Sequence, residues 1–96
     1  MRLVMAEGAE IQDLTEKVRA GDREAFDELA RPLTGHLLER IRQRMGRGLR
    51  EKLEAEDILQ ETLVRAFRSM PHFRWQGGGS LESWLEGIAG HCILQA

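Results

Sequence analysis

Tyrosine is absent from this chain of 96 residues, and cysteine occurs only once. Each shortage excludes something. Cys92 alone cannot form an internal disulfide, and no CxxC or HExxH motif offers metal-ligand spacing. β-Branched residues are few and apolar–polar alternation never persists, so no strand is expected. Apolar runs last only a few residues, far short of the roughly 20 that a membrane helix needs. The opening MRLVMAEG has too short an apolar core for a secretory signal, which makes a reducing cytoplasm the expected setting. An excess of basic charge is missing as well. The formal net charge is −2 and the pI about 5.9, whereas an autonomous DNA-binding domain often has a pI above about 9. If this chain meets DNA, another molecule must supply much of the affinity.

What is present reads as helix. Apolar residues make up 42% of the chain and charged residues 31%, the composition of a folded, soluble domain. A chain this long buries roughly 60–70% of its unfolded surface, enough for one small core. Ile11, Leu14 and Val18 form a narrow stripe over about residues 9–20. Gly21 suits the end of that helix, and Asp22 suits the N-cap of the next. From Arg23, apolar residues recur close to every fourth position: Phe26, Leu29, Leu33, Leu37, Ile41 and Met45. Pro32 lacks an N–H and predicts a kink or break, and MGRGLR is expected to end the helix. A third helix is expected over 54–69, with Ile58, Leu59, Thr62, Leu63, Ala66, Phe67 and Met70 facing inward and Pro71 stopping it. A fourth starts near Ser80, a good N-cap, and buries Leu81, Trp84, Leu85, Ile88, Ala89 and Cys92. It is still apolar at Ile93 and Leu94, with no stop signal, so the native chain is expected to continue beyond residue 96. The expectation is an all-α fold, a compact bundle of about four helices forming one domain over 1–96, with about 1–9 as an N-terminal extension.

Three features could carry function. Asp57, Gln60, Glu61 and Val64 lie at i, i+3, i+4, i+7 and share one face of the third helix. That face is either a solvated surface with acid at a helix N-terminus, or a docking stripe for a basic partner helix. Arg40, Arg42, Arg44, Arg47, Arg50 and Lys52 gather around the end of the second helix. On one helix Arg40, Arg44 and Arg47 would share a face, able to meet phosphates or merely to complement the helix dipole. The third feature is FRWQGGGSLESWL, from Phe73 to Leu85. It is no nucleotide phosphate loop, because no strand precedes the glycines and no Lys-Ser or Lys-Thr follows them. Its residue types suit an extruded base. Trp75 can stack, Arg74 can meet a phosphate, Gln76 and Ser80 can bond base edges, and glycines such as Gly78 admit close approach. The plainer alternative is a loop whose Phe73 and Trp75 close the core. Catalysis lacks support. His36, His72 and His91 lie in separate segments, and the adjacent His91 and Cys92 diverge by about 100° on a helix. No enzyme activity, metal or cofactor is expected.

The blocks AGDREAFDELA, AEDILQETLVRAFRSMPHF and GSLESWLEGIAGH, in that order, resemble the second conserved region of bacterial sigma factors, most closely the extracytoplasmic-function (ECF) type. The resemblance covers about residues 10–95. It implies that Asp57, Gln60, Glu61 and Val64 dock on the clamp coiled coil of the RNA polymerase β′ subunit. It implies that the segment from Phe73, with Arg74, Trp75, Gln76, Gly78 and Ser80, together with His91 further along the fourth helix, meets the non-template strand of the promoter minus-ten element. A base would be extruded there and the duplex melted. An anti-sigma factor is a further implied partner. The sequence departs from the family where His91 replaces a common Asn and Gly87 a common Arg. Gly87 and Gly90 also weaken the fourth helix in isolation. The family's second promoter-reading domain is not in the chain. The competing reading is a small helical adaptor that uses the Asp57–Glu61 stripe without touching DNA.

Overall fold

Gly21 turns the chain between its first two helices. Its φ of 99° lies in the left-handed region that glycine occupies without steric cost. The computed structural model describes residues 13–74 and 79–96. Helix α1 is described over 13–19, with Thr15 and Val18 buried and Leu14 half-buried; Ile11 lies outside the described residues. Asp22 then caps α2 (Arg23–Arg44), its carboxylate accepting the Ala25 N–H at 3.0 Å.

Pro32 does not break α2, which runs unbroken for 22 residues. The expected break is absent for a physical reason. Pro32 and Glu28 both face solvent, so the Glu28 carbonyl that loses its helical donor can bond water instead. Helix α2 ends at MGRGLR as expected, but a further helix follows. Met45 caps α2, Gly46 is extended, and Arg47–Lys52 forms a separate short helix, α3. Half-buried Leu49 and Leu53 pack α3 against the core. Arg47 therefore does not continue the face of Arg40 and Arg44.

Helix α4 (Ala55–Ser69) begins with a reciprocal cap in which the Asp57 carboxylate accepts the Glu54 N–H at 3.1 Å. It ends in a 3-10 turn, Met70–His72, that accommodates Pro71. Helix α5 (Ser80–Gln95) starts one residue earlier than an N-cap Ser80 would require. Gly79, with φ 82°, is the N-cap, and Ser80 is the first helical residue. Among the described residues there is no strand, and no helix is long and apolar enough to cross a membrane.

Helices α2, α4 and α5 pack on one another pairwise. Phe26, Leu37, Ile41, Thr62, Met70 and Leu85 are the largest fully buried side chains. Burying each large apolar one contributes roughly 1.5–3 kcal/mol. Thr62 satisfies its hydroxyl inside its own helix, donating to the Ile58 carbonyl at 2.7 Å. Phe26 meets Phe67 edge-on at 5.6 Å, and the Arg23 guanidinium covers the Phe67 ring at 5.2 Å. Cys92 is a buried core residue.

Candidate functional site

The inward face of α4 is Ala55, Ile58, Thr62 and Ala66. Its packing against α2 and α5 leaves Asp57, Gln60 and Glu61 exposed and Val64 half-buried. The four residues thus form one outward strip, as their spacing requires. Two of them already have intramolecular work. Asp57 closes the helix cap, and Glu61 pairs with Arg65 at 2.9 Å. The Glu61 hydrogen bond holds the Arg65 guanidinium above its ordinary pKa. Arg65 also reaches Gln95 on α5 at 2.8 Å. Gln60 is the strip's exposed polar residue with the most freedom to bond elsewhere among those described.

The second cluster sits where the α4 turn leads toward α5. His72, Phe73, Arg74, Ser80, Ser83 and Trp84 line one cleft. Phe73 is buried, and its ring lies 5.0 Å from that of Trp84. Phe73 thus closes the core, as the plainer alternative held for it. Trp75, Gln76 and Gly78 lie outside the described residues. Arg74 is exposed and Ser80 half-buried on the same rim. His91 is not part of this cluster. It lies eleven residues beyond Ser80, about 16 Å along the helix. It lines a separate groove between α4 and α5 with Arg65, Arg68, Gly87, Ile88 and Trp84. Trp84 is the wall common to both. The apolar pattern assigned it only to the core, and nothing in the local spacing signals that it is half-exposed between two grooves.

The arginines around the end of α2 divide into two sets. Arg40 bonds Glu86 of α5 at 3.3 Å, and Arg42 bonds Glu56 of α4 at 2.9 Å. Arg44 lies over Gly90, where an added Cβ would stand 2.8 Å from its Nη2. Arg40 and Arg42 thus link α2 to α5 and α4, and Arg44 crosses over α5. Arg47, Arg50 and Lys52 are exposed on α3. Sequence reasoning treated the histidines as isolated, but His36 on α2 meets Glu82 on α5 at 3.4 Å, with Glu86 beside them. Ligand atoms of these three lie within 4.8 Å of one another. Arg40 already holds Glu86, so His36, Glu82, Arg40 and Glu86 form a polar ladder between α2 and α5.

A family model described as Sigma-70 region 2 matches residues 35–96, which hold α3, α4, α5 and the latter part of α2. The chain belongs to the sigma-70 region 2 family. Its curated relatives include RNA polymerase sigma-H factor of Pseudomonas aeruginosa, 35% identical over 81% of this chain and 37% of the relative. ECF RNA polymerase sigma factor SigD of Mycobacterium tuberculosis is 29% identical over 94% of this chain and 42% of the relative. ECF RNA polymerase sigma factor BldN of Streptomyces coelicolor is 31% identical over 92% of this chain and 31% of the relative. The chain therefore spans about two fifths or less of these relatives' lengths. No solved structure matches. The region 2 match covers the second and third of the three sequence blocks and leaves α1 and the start of α2 outside its span, and the ECF-named relatives support the ECF resemblance.

Proposed function

We propose that this region 2 domain docks on RNA polymerase core and recognises and melts the promoter minus-ten element during transcription initiation. The reading is carried by one coincidence. The family match spans the α4 strip and the Arg74–Ser80–Trp84 cleft, which face solvent on one small bundle. Asp57, Gln60, Glu61 and Val64 meet the β′ clamp coiled coil, with carboxylates and amide accepting from basic side chains and Val64 adding apolar contact. Trp75, Gln76, Gly78 and Ser80 receive a base of the non-template strand, Arg74 meets its phosphate, and His91 contacts DNA further along α5. A net charge of −2 suits a domain brought to DNA by polymerase in the cytoplasm, rather than one that finds duplex by its own field. An anti-sigma factor covering either surface belongs to the same proposal.

Calorimetric titration of the chain with an isolated β′ clamp coiled coil tests the docking half. The chosen variant is Gln60→Arg combined with Glu61→Arg, because Asp57 also closes the α4 cap and its loss would confuse binding with folding. The exposed Glu61–Arg65 pair adds little to stability, so the variant should remain helical. Saturable binding by the parent, lost in the variant through like-charge repulsion, is the expected result. Absence of binding by the parent would return the chain to the adaptor reading.

A further inference from the structure

Arg19 lies before the span that the region 2 family model matches, yet it reaches the entrance of the candidate base-binding segment. Its Nη2 donates to the Phe73 carbonyl, a contact across 54 residues of sequence. Its Nη1 is held by Glu16 at 3.0 Å, one turn back on α1. Its Nε is buried without a partner. Arg19 side-chain exposure is only 27%, so this is a largely enclosed cation and not a surface charge resting on the nearest oxygen.

Phe73 is the last buried residue before the loop, and its position is determined from every side. Its N–H donates to Met70 at 2.9 Å, its ring packs on Trp84, and its carbonyl takes the arginine. Beyond it, Arg74 is exposed, and a left-handed Gly79 leads into α5. The direction of the Phe73 carbonyl sets how the chain leaves the bundle toward Arg74, Ser80 and the shared cleft. A charge-assisted bond from a rigid, planar guanidinium is the strongest simple device for setting that direction. Stability alone is a poor account of Arg19. An apolar side chain could cover the same surface without stranding a buried donor, which is costly.

We propose that Arg19 is a positioning residue: from α1, oriented by Glu16, it fixes the Phe73 carbonyl and so sets the Phe73–Arg74 wall of the cleft shared with Ser80 and Trp84, where the promoter strand would bind. This deepens the proposed function and rests on it. Helix α1 then acts as a strut for DNA recognition.

The test combines the full chain with RNA polymerase core and a single-stranded minus-ten non-template oligonucleotide carrying a fluorescent base. Clamp coiled-coil titration runs beside it. Arg19→Met should lower oligonucleotide affinity about tenfold, the loss of one charge-assisted bond, while clamp affinity stays at the parent value. Arg19→Lys keeps a donor without the fork and should lose less, about threefold. If circular dichroism shows that Arg19→Met does not fold, the lysine variant carries the test alone. Parent-like oligonucleotide binding by the folded variant overturns the inference. An equal drop in clamp and oligonucleotide binding also overturns it, because that is what a general loss of structure would produce. Failure of the parent complex to bind the oligonucleotide is a different result, and it removes the proposed function itself.

Discussion

Gly87 and Gly90 stand three residues apart in α5, and the structure separates their roles. A Cβ at Gly87 would meet nothing within 4 Å, whereas one at Gly90 would meet the Arg44 guanidinium at 2.8 Å. Both glycines weaken a helix equally in isolation, so spacing alone treats them alike. Gly87→Ala should stabilise the domain by about 0.5–1 kcal/mol, read as a higher urea midpoint. Gly90→Ala should gain clearly less, because Arg44 must move off α5. Equal gains from the two would mean that the Arg44 crossing has no energetic weight. Asp57 teaches the same lesson from another side. Its place on an acidic strip was legible from i, i+3, i+4 spacing, but its bond to the Glu54 N–H makes it a cap as well. The clue was present in Glu54-Ala-Glu-Asp57, with acids at both positions of a reciprocal cap. Glu is an uncommon N-cap, so the pattern did not stand out.

At the scale of elements, α2 is the informative case. Its apolar period was plain from Phe26 to Ile41, and Asp22 was legible as its N-cap. Pro32 misled because its effect depends on what surrounds it. In a buried helix the freed Glu28 carbonyl would be stranded, but on this solvent face water can take it. The cost of proline within a helix is then reduced but not abolished. Pro32→Ala should raise stability by about 1–3 kcal/mol, seen as a higher thermal midpoint without change in helix content. A fall in stability would mean that the local geometry imposed by Pro32 is needed for packing Leu29 and Leu33. Helix α3 was missed for a related reason. Six residues with one half-buried leucine inside and another at the C-cap carry too short a period to recognise, and such a helix forms only when a core receives Leu49 and Leu53.

For the molecule as a whole, stability rests on the apolar seam of α2, α4 and α5 more than on its ion pairs. Arg42–Glu56 and Arg65–Glu61 are substantially exposed, and Arg40–Glu86 is exposed on its arginine side. Exposed pairs contribute about 0–1 kcal/mol each and are screened by salt. Raising sodium chloride several-fold should therefore move the thermal midpoint by less than about 4 °C, whereas Leu85→Ala, at a fully buried position, should lower it by more than about 10 °C. A salt shift as large as the cavity shift would assign the ladder between α2 and α5 a structural weight that its exposure does not suggest.

Helix type, the main apolar faces and the outward strip on α4 follow from local pattern, because a helix places residues three and four apart on one face whatever surrounds it. The three blocks carrying the sigma region 2 resemblance are likewise local strings. Other features join distant positions and have no local signature. Arg19 reaches Phe73 across 54 residues, His36 meets Glu82, Arg44 crosses Gly90, and Trp84 stands between two grooves while His91 is kept apart from Ser80. Each depends on how helices are set against one another. That arrangement is settled by packing the whole core at once, so it becomes legible only when the bundle is assembled.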